Sequence, residues 1–226
     1  MTRLIIAAAG GFGRELAAYA RDAGFDVAGF LDDDGAALAS RGGLEPGAGL
    51  LGSIAAYEPR EDEMVAIGLG HVGTRLKVAE ALIRRGARLA TVVHPTAWVA
   101  PTASLGVGVA VAPFACIGPG VTLGDLTMLN TYASIGHDAV IGRCCVLSSY
   151  AVATGYSTLE DEVYLASHAV VAPGQRVGAR ARVSAGGVVF HDVPSGWLAA
   201  GNPARARPIP EGRGRADSAP THPSPT

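Results

Sequence analysis

The 226-residue chain is poor in aromatic residues, at 6%, and has only three cysteines, Cys116, Cys144 and Cys145. A core short of rings must be filled by Ala, Val, Leu and Ile and by closely approaching glycine backbones, which favours tight turns and narrow layers. An odd cysteine count with two adjacent members suits neither a disulfide framework nor the paired spacing of a zinc site, and reads as reduced core thiols in a cytoplasmic protein. An excess of one charge is missing too. Eighteen basic residues against 20 acidic ones give a net charge of −2, so no field exists to draw in nucleic acid or an anionic membrane. No run approaches the roughly 18 apolar residues of a membrane span. The apolar stretch Leu4 to Ala9 ends at Gly10 and Gly11, followed by the charged Arg14 and Glu15, and so does not read as a secretion signal. These absences predict a soluble protein with no metal site.

Glycine, by contrast, is abundant at 31 residues, with 14 prolines and a hydrophobic share of 49%. Every sixth residue from Val93 to Val189 belongs to one series, and 16 of its 17 members are Leu, Ile or Val, with Ala153 the exception. The second position of each hexad is often Gly or Ala, the fifth is usually Ala, Val, Ser, Thr or Cys, and no insertion breaks the register. A period of six fits neither a helix of 3.6 residues per turn nor strand alternation by twos. It predicts a parallel β-helix in which each hexad forms one short strand and one corner. The large aliphatic residue points into a narrow prism, and small residues and glycines turn the corners. Three hexads per coil make 18 residues per turn, so 17 hexads build between five and six coils, each stabilised by its neighbours.

The first 92 residues have a different texture. Leu4 to Ala8 reads as a buried parallel strand, followed by the loop Gly10-Gly11-Phe12-Gly13, a helix from Arg14 to Ala23, and a second strand from Val27 to Leu31 that ends in Asp32, Asp33 and Asp34. Gly35 to Gly52 reads as a loop with short elements. Glu63 to Ile67 is a further strand, then a glycine-bearing turn from Gly68 to Gly73 and a helix from about Thr74 to Arg85. The predicted organisation is a small Rossmann-like open α/β domain over residues 1–92, an all-β prism over 93–207, and a disordered tail over 208–226, which is dense in Pro, Ser, Gly and Arg.

Two places could carry chemistry. Glycines at 10, 11 and 13 before a helix follow the logic of a phosphate loop, since glycine lets the backbone approach an anion and a helix start offers unpaired N–H groups. Asp32 and Asp33 stand where an open sheet places carboxylates that accept ribose or base hydrogen bonds. A tight strand-to-helix turn and a solvated loop account for the same residues, and both readings stay open. In the prism, His137 occupies the third position of its hexad, away from the inward row, and is followed by Asp138. A carboxylate can fix the imidazole tautomer and raise its basicity, as a general base needs. One coil further on stands Gly155, whose backbone N–H could stabilise an oxyanion. This constellation suggests acyl transfer.

These residues resemble a known family. The small α/β domain, the hexads, the segment Asn130 to Asp138 and the ending Asp192-Val193-Pro194 with Ala200-Gly201-Asn202-Pro203-Ala204-Arg205 resemble bacterial two-domain acetyltransferases that modify sugars. That family includes sialic acid O-acetyltransferases and N-acetyltransferases of nucleotide-linked amino sugars. The resemblance implies a left-handed β-helix, a homotrimer and acetyl-CoA as co-substrate. It implies His137 as general base, Asp138 as its orienting acid, Asn130 as a supporting group and the Gly155 amide as the partner of the thioester carbonyl. Ala166, Ser167, Ala185, Gly186 and Pro203 would line the donor channel between neighbouring prisms. Gly11, Phe12, Gly13, Asp32 and Asp33 would bind the nucleotide part of the acceptor. Two departures bear on that acceptor: Phe12 stands where members acting on UDP-linked 4-amino sugars often carry His, and Val146 where they often carry a second His.

The implied reaction is direct acetyl transfer to the amino group of a nucleotide-linked amino sugar. The alternatives are O-acyl transfer to a sugar hydroxyl or specialised metabolite, a metalloenzyme of the γ-carbonic anhydrase kind, and an inactive binding or scaffold protein. The metalloenzyme needs a histidine pair five residues apart, and position 142 is Gly. His94, His168 and His191 read as loop or surface residues, and Cys144 and Cys145 as packing thiols.

Overall fold

The computed structural model describes residues 2–34 and 49–209. The chain opens with strand β1 (Arg3–Ala7), helix α1 (Gly11–Asp22), β2 (Asp26–Leu31), β3 (Gly49–Gly52), β4 (Glu63–Ile67) and helix α2 (Val72–Arg84). The four strands form a parallel sheet in the order β3-β2-β1-β4, and Leu89 adds a single bridge beyond β4 at Val65. Alternation along β1 decides what each face buries. Leu4 and Ile6 pack with Leu16, Ala17 and Ala20 of α1, whereas Ile5 and Ala7 pack with Ala79 and Leu82 of α2. Both helices start earlier than their apolar pattern suggests, because glycine and a side-chain cap set the starts. Gly10 is the N-cap of α1, and the His71 side chain caps α2 by accepting the Thr74 N–H. The last residues of the supposed loop Gly35 to Gly52 form β3, while 35–48 lie outside the described residues.

From Val92 the chain winds into 17 two-residue strands, β5 (Val92–Val93) to β21 (Val188–Val189), and the second residue of each is a member of the hexad series. Strands pair in parallel with the strand 18 residues away, as Met128 with Val146 and Leu129 with Leu147, so three hexads close one coil. The result is a parallel β-solenoid with three faces. The first carries Val93, Val111, Leu129, Leu147, Leu165 and Val183; the second Val99, Ile117, Ile135, Ala153, Val171 and Val189; the third Leu105, Leu123, Ile141, Leu159 and Val177. These residues and the small fifth-position residues, such as Ala115, Ala133, Ala151 and Ala169, fill one continuous core. Strand β22 (Trp197–Ala200) extends the first face, and β23 (Arg205–Pro208) pairs back on it antiparallel. That strand takes in Pro208, with which the expected tail begins, and residues 210–226 lie outside the described ones.

The corners correct the sequence reading. Glycine does not supply most of the left-handed turns. From Gly108 to Gly186 every fourth hexad position has positive φ, and ten of these 14 residues are not glycine: Phe114, Leu126, Tyr132, Asp138, Cys144, Tyr150, Tyr156, Glu162, His168 and Arg180. That backbone costs roughly 1–2 kcal/mol per residue. A ladder of amide bonds offsets it, each N–H meeting a carbonyl 19 residues back at 2.7–3.3 Å from Leu126 to Gly186. The second-position glycines answer a different need, close approach between coils. A Cβ at Gly136 would lie 2.5 Å from the Gly155 nitrogen, and one at Gly124 2.6 Å from the Gly142 carbonyl carbon.

The α/β domain sits on the first face. Ala110, Met128 and Val146 of that face share a buried cluster with Leu16 and Ala20, and Leu126 and Cys144 of the adjoining edge share another with Leu82 and Ala79. Fully buried Arg75 crosses this junction. It donates to the carbonyls of Ile67 and Leu69 on one side and of Leu126 and Gly108 on the other. His94, expected at the surface, is buried here, its Nε2 3.0 Å from Asp22 and its ring edge-on to Tyr19. No helix among the described residues is long and apolar enough to cross a membrane.

Candidate active site

His137 lies on the edge between the second and third faces, after the strand that ends in Ile135, and is exposed. Its Nδ1 is 2.9 Å from Oδ2 of Asp138, a contact that places the proton on Nδ1 and leaves Nε2 with its lone pair free. Asp138 is one of the left-handed corner residues, at φ 57°, and its amide bonds back to Pro119 at 2.9 Å. The carboxylate is thus aimed by the solenoid ladder, whatever side chain the position carries.

Gly155 lies directly over the imidazole. A Cβ there would fall 2.7 Å from Nε2 and 2.9 Å from Cε1, so only glycine lets the ring occupy its place. The Gly155 N–H makes no hydrogen bond within the described chain, and the neighbouring Tyr156 amide bonds to the carbonyl of His137 at 3.0 Å. A free imidazole nitrogen beside an uncommitted amide can accept a proton and stabilise a developing oxyanion in one step. Tyr156, which sequence reading missed, meets His137 edge-on with centroids 4.9 Å apart. Its signal was the 18-residue register, which stacks position 156 on Asp138.

The other residues named from sequence fall elsewhere. Asn130 follows the strand ending in Leu129 and lies on the edge between the first and second faces, with its Oδ1 accepting the Thr131 N–H at 3.2 Å. Ala166, Ser167, Ala185 and Gly186 occupy the same edge, two and three coils on, and Pro203 lies in the turn between β22 and β23. Within one chain, then, the second face separates these residues from His137. Val146 is buried under the α/β domain and lines no open surface.

At the carboxyl ends of β1, β2 and β4 the glycine loop, Asp32 and the turn at Gly68 converge. Both Asp32 oxygens are taken up by the backbone, Oδ2 by the Ala9 N–H at 2.8 Å and Oδ1 by the Asp34 N–H at 2.9 Å. Asp33 accepts from Ala55 at 3.1 Å and is exposed. A Cβ on Gly68 would meet the Gly13 Cα at 2.7 Å, so these two glycines close the loops against each other. Gly11 is exposed and Phe12 half-buried against the cluster under α1. No group of three or more metal-ligating side chains occurs among the described residues.

A solenoid of uninterrupted hexads that carries an α/β domain on one face, with a histidine–aspartate pair at an open edge, defines the class of two-domain hexapeptide-repeat proteins. Residues 3–82 match the model of the PglD N-terminal domain family, and the fold of the described residues is shared with solved acetyltransferases. PerB from Caulobacter crescentus, solved with CoA and GDP-perosamine, superposes with a TM-score of 0.82 at 29% identity, covering 90% of this chain and 96% of that one. The acetyltransferase domain of PglB from Neisseria gonorrhoeae gives a TM-score of 0.84 at 27% identity, covering 92% of this chain and all of that one. A 2,3,4,5-tetrahydropyridine-2,6-dicarboxylate N-acetyltransferase from Staphylococcus aureus is 47% identical over 47 residues, 21% of this chain. The chain thus matches about one fifth, 20%, of that curated relative's length.

Proposed function

We propose that the protein is an acetyl-CoA-dependent acetyltransferase acting on the amino group of a nucleotide-linked amino sugar, with His137 as general base. The observation that carries this reading is the geometry at one edge: Nδ1 held by Asp138, Nε2 free, and the unbonded Gly155 amide beside it. Nε2 takes a proton from the acceptor amine as its nitrogen attacks the thioester carbonyl. The C–N bond forms, the Gly155 N–H donates to the oxyanion, and collapse breaks the C–S bond while the imidazolium returns the proton to the CoA sulfur. No acyl-enzyme is needed. Burial pushes the thiols of Cys144 and Cys145 up to about 11 and about 12, so neither offers a thiolate nucleophile.

The parallel sheet with its glycine loop is read as a Rossmann-like acceptor site, in which Gly11, Phe12, Gly13 and Asp33 contact the nucleotide while Asp32 holds the loop in shape. Ala166, Ser167, Ala185, Gly186 and Pro203 belong to the donor channel, and Asn130 supports the acyl group. Because these residues lie one edge away from His137, the complete site is assembled between protomers of a homotrimer. The second face supports this: it presents Val152, Val170 and Val188 together with Trp98, which is 54% exposed, and the α/β domain packs on the first face instead.

The test is release of free thiol from acetyl-CoA against nucleotide-linked amino sugars, sialic acid and free amino sugars. Turnover with a nucleotide-linked amino sugar is expected, and His137→Ala should lower it at least about 10²-fold. Acylation of none of them while acetyl-CoA binds would defeat the acceptor assignment, and near-normal turnover in the variant would defeat the base.

A further inference from the structure

On the edge between the second and third faces, the fourth hexad position carries Gly120, Asp138, Tyr156 and Gly174 at one-coil spacing. All four have φ between 57° and 72°, so whatever side chain a rung carries leaves the solenoid in the same direction. The column is therefore an empty rung, a carboxylate, a ring and a second empty rung. The lower glycine seats the acid: a Cβ on Gly120 would lie 2.5 Å from Oδ1 of Asp138, whose Oδ2 meets His137. Above the acid, Tyr156 is 63% exposed, and the space around the missing Cβ of Gly174 is open to 4 Å.

The contact between His137 and Asp138 does not by itself settle the imidazole. The two side chains are 55% and 50% exposed, and a pair so open to water is weak. Rotation of the His137 side chain competes with it and would carry Nε2 away from the Gly155 amide. Two surfaces close off that rotation. The Gly155 backbone lies over Nε2 and Cε1, and the Tyr156 ring meets the imidazole at 89° with centroids 4.9 Å apart, the edge-to-face geometry that aromatic pairs prefer. The tyrosine is itself held in place, since its N–H bonds to the His137 carbonyl at 3.0 Å and its φ of 60° sets the direction of the ring. One residue thus braces both the main chain and the ring of His137. We infer that Tyr156 is a positioning residue, whose ring pins the imidazole with Nδ1 on Asp138 and Nε2 beside the Gly155 amide. The inference rests on the reading of His137 as general base. An edge-to-face pair biases a side chain about two- to tenfold towards the paired orientation, which sets the size of the effect.

Nitrogen NMR of the full chain labelled at histidine, with the His137 signals assigned by their loss in His137→Ala, reads the ring without any substrate. At pH 9, where histidine is neutral, the native protein and Tyr156→Phe are expected to show His137 as the single Nδ1–H tautomer, and Tyr156→Ala as a mixture. In the thiol-release assay Tyr156→Ala should lose about fivefold in kcat at unchanged KM for donor and acceptor, and Tyr156→Phe should restore it. Tm should move by only a few degrees, because the side chain is largely exposed. An unmixed Nδ1–H tautomer in Tyr156→Ala, a loss expressed in KM alone, or a Tyr156→Phe variant as impaired as the alanine one overturns the positioning role and leaves His137 standing as base. If the native protein acylates none of the acceptors, the base reading falls, while the spectra still decide whether Tyr156 holds the ring.

Discussion

Arg75 ties the two domains with one guanidinium, and replacing it with Met isolates that contribution. The side chain is 0% exposed and donates Nε to Leu126 O at 2.8 Å, Nη1 to Ile67 O at 2.6 Å and Leu69 O at 3.2 Å, and Nη2 to Gly108 O at 3.2 Å. Burial lowers its pKa to about 10, so the group remains charged at neutral pH. Methionine preserves much of the aliphatic stem and removes every donor. Four carbonyls then lose a charge-assisted bond in a dry junction, at about 1–2 kcal/mol each. Relief from burying a charge without a carboxylate partner returns part of this. The net expected loss is about 3–4 kcal/mol, which for a chain of this size lowers Tm by about 10 °C. Urea unfolding at pH 7 and scanning calorimetry read it directly. Arg75→Lys, with three donors on one point charge, should fall between the two. A loss below about 1 kcal/mol in Arg75→Met would show that the carbonyls find other partners and that the guanidinium is not what fastens the junction.

Gly155→Ala places a methyl 2.7 Å from Nε2 of His137, so the ring must swing away. Because the obstacle is an exposed side chain, turnover should drop by about 10²-fold, as for loss of the base, with Tm changed by only a few degrees; normal turnover would contradict the stacking of glycine on imidazole. Cys144 and Cys145 should resist iodoacetamide at pH 8 in the folded protein and react once it is denatured, as read by mass spectrometry; rapid labelling of the native protein would refute their burial. Desolvation raises both thiols above the ordinary value of 9.0. Their contribution to stability is therefore complete below pH 9 and declines as pH rises from 9 towards 12, measurable as a lower urea midpoint at pH 10.5 than at pH 7.

The solenoid was legible because its inner surface is selective: a prism one side chain wide accepts an aliphatic residue every sixth position, and Val93 to Val189 record that in composition. The corners left no such record. Phe, Leu, Tyr, Asp, Cys, Glu, His and Arg all adopt the left-handed fourth position, since the amide ladder between coils selects the backbone and leaves the side chain free to vary. Glycine at the second hexad position therefore marks close approach between coils, as at Gly136, while the bend itself takes glycine at only four of its 14 positions. Arg75 and His94 were opaque for a related reason. Each lies in a locally ordinary context, and its role depends on partners remote in sequence: Leu126 is 51 residues from Arg75, and Asp22 is 72 from His94.

The division of the candidate site between two edges is the strongest constraint on how the protein could work. Asn130 and His137 are seven residues apart and share a coil, yet one corner and one strand place them on opposite borders of the second face. A rigid prism cannot bring those borders together, because the core residues between them, Ala133 and Ile135, are buried in contact with the coils above and below. If Asn130, Ser167 and Gly186 serve the donor that His137 acts on, the histidine must come from a second copy whose second face adjoins the first. The second face is one of the two that the α/β domain, seated on the first, leaves uncovered. Dissociated protomers would then hold both halves of the chemistry and turn over nothing, so activity should depend on protein concentration more steeply than first order near the assembly constant.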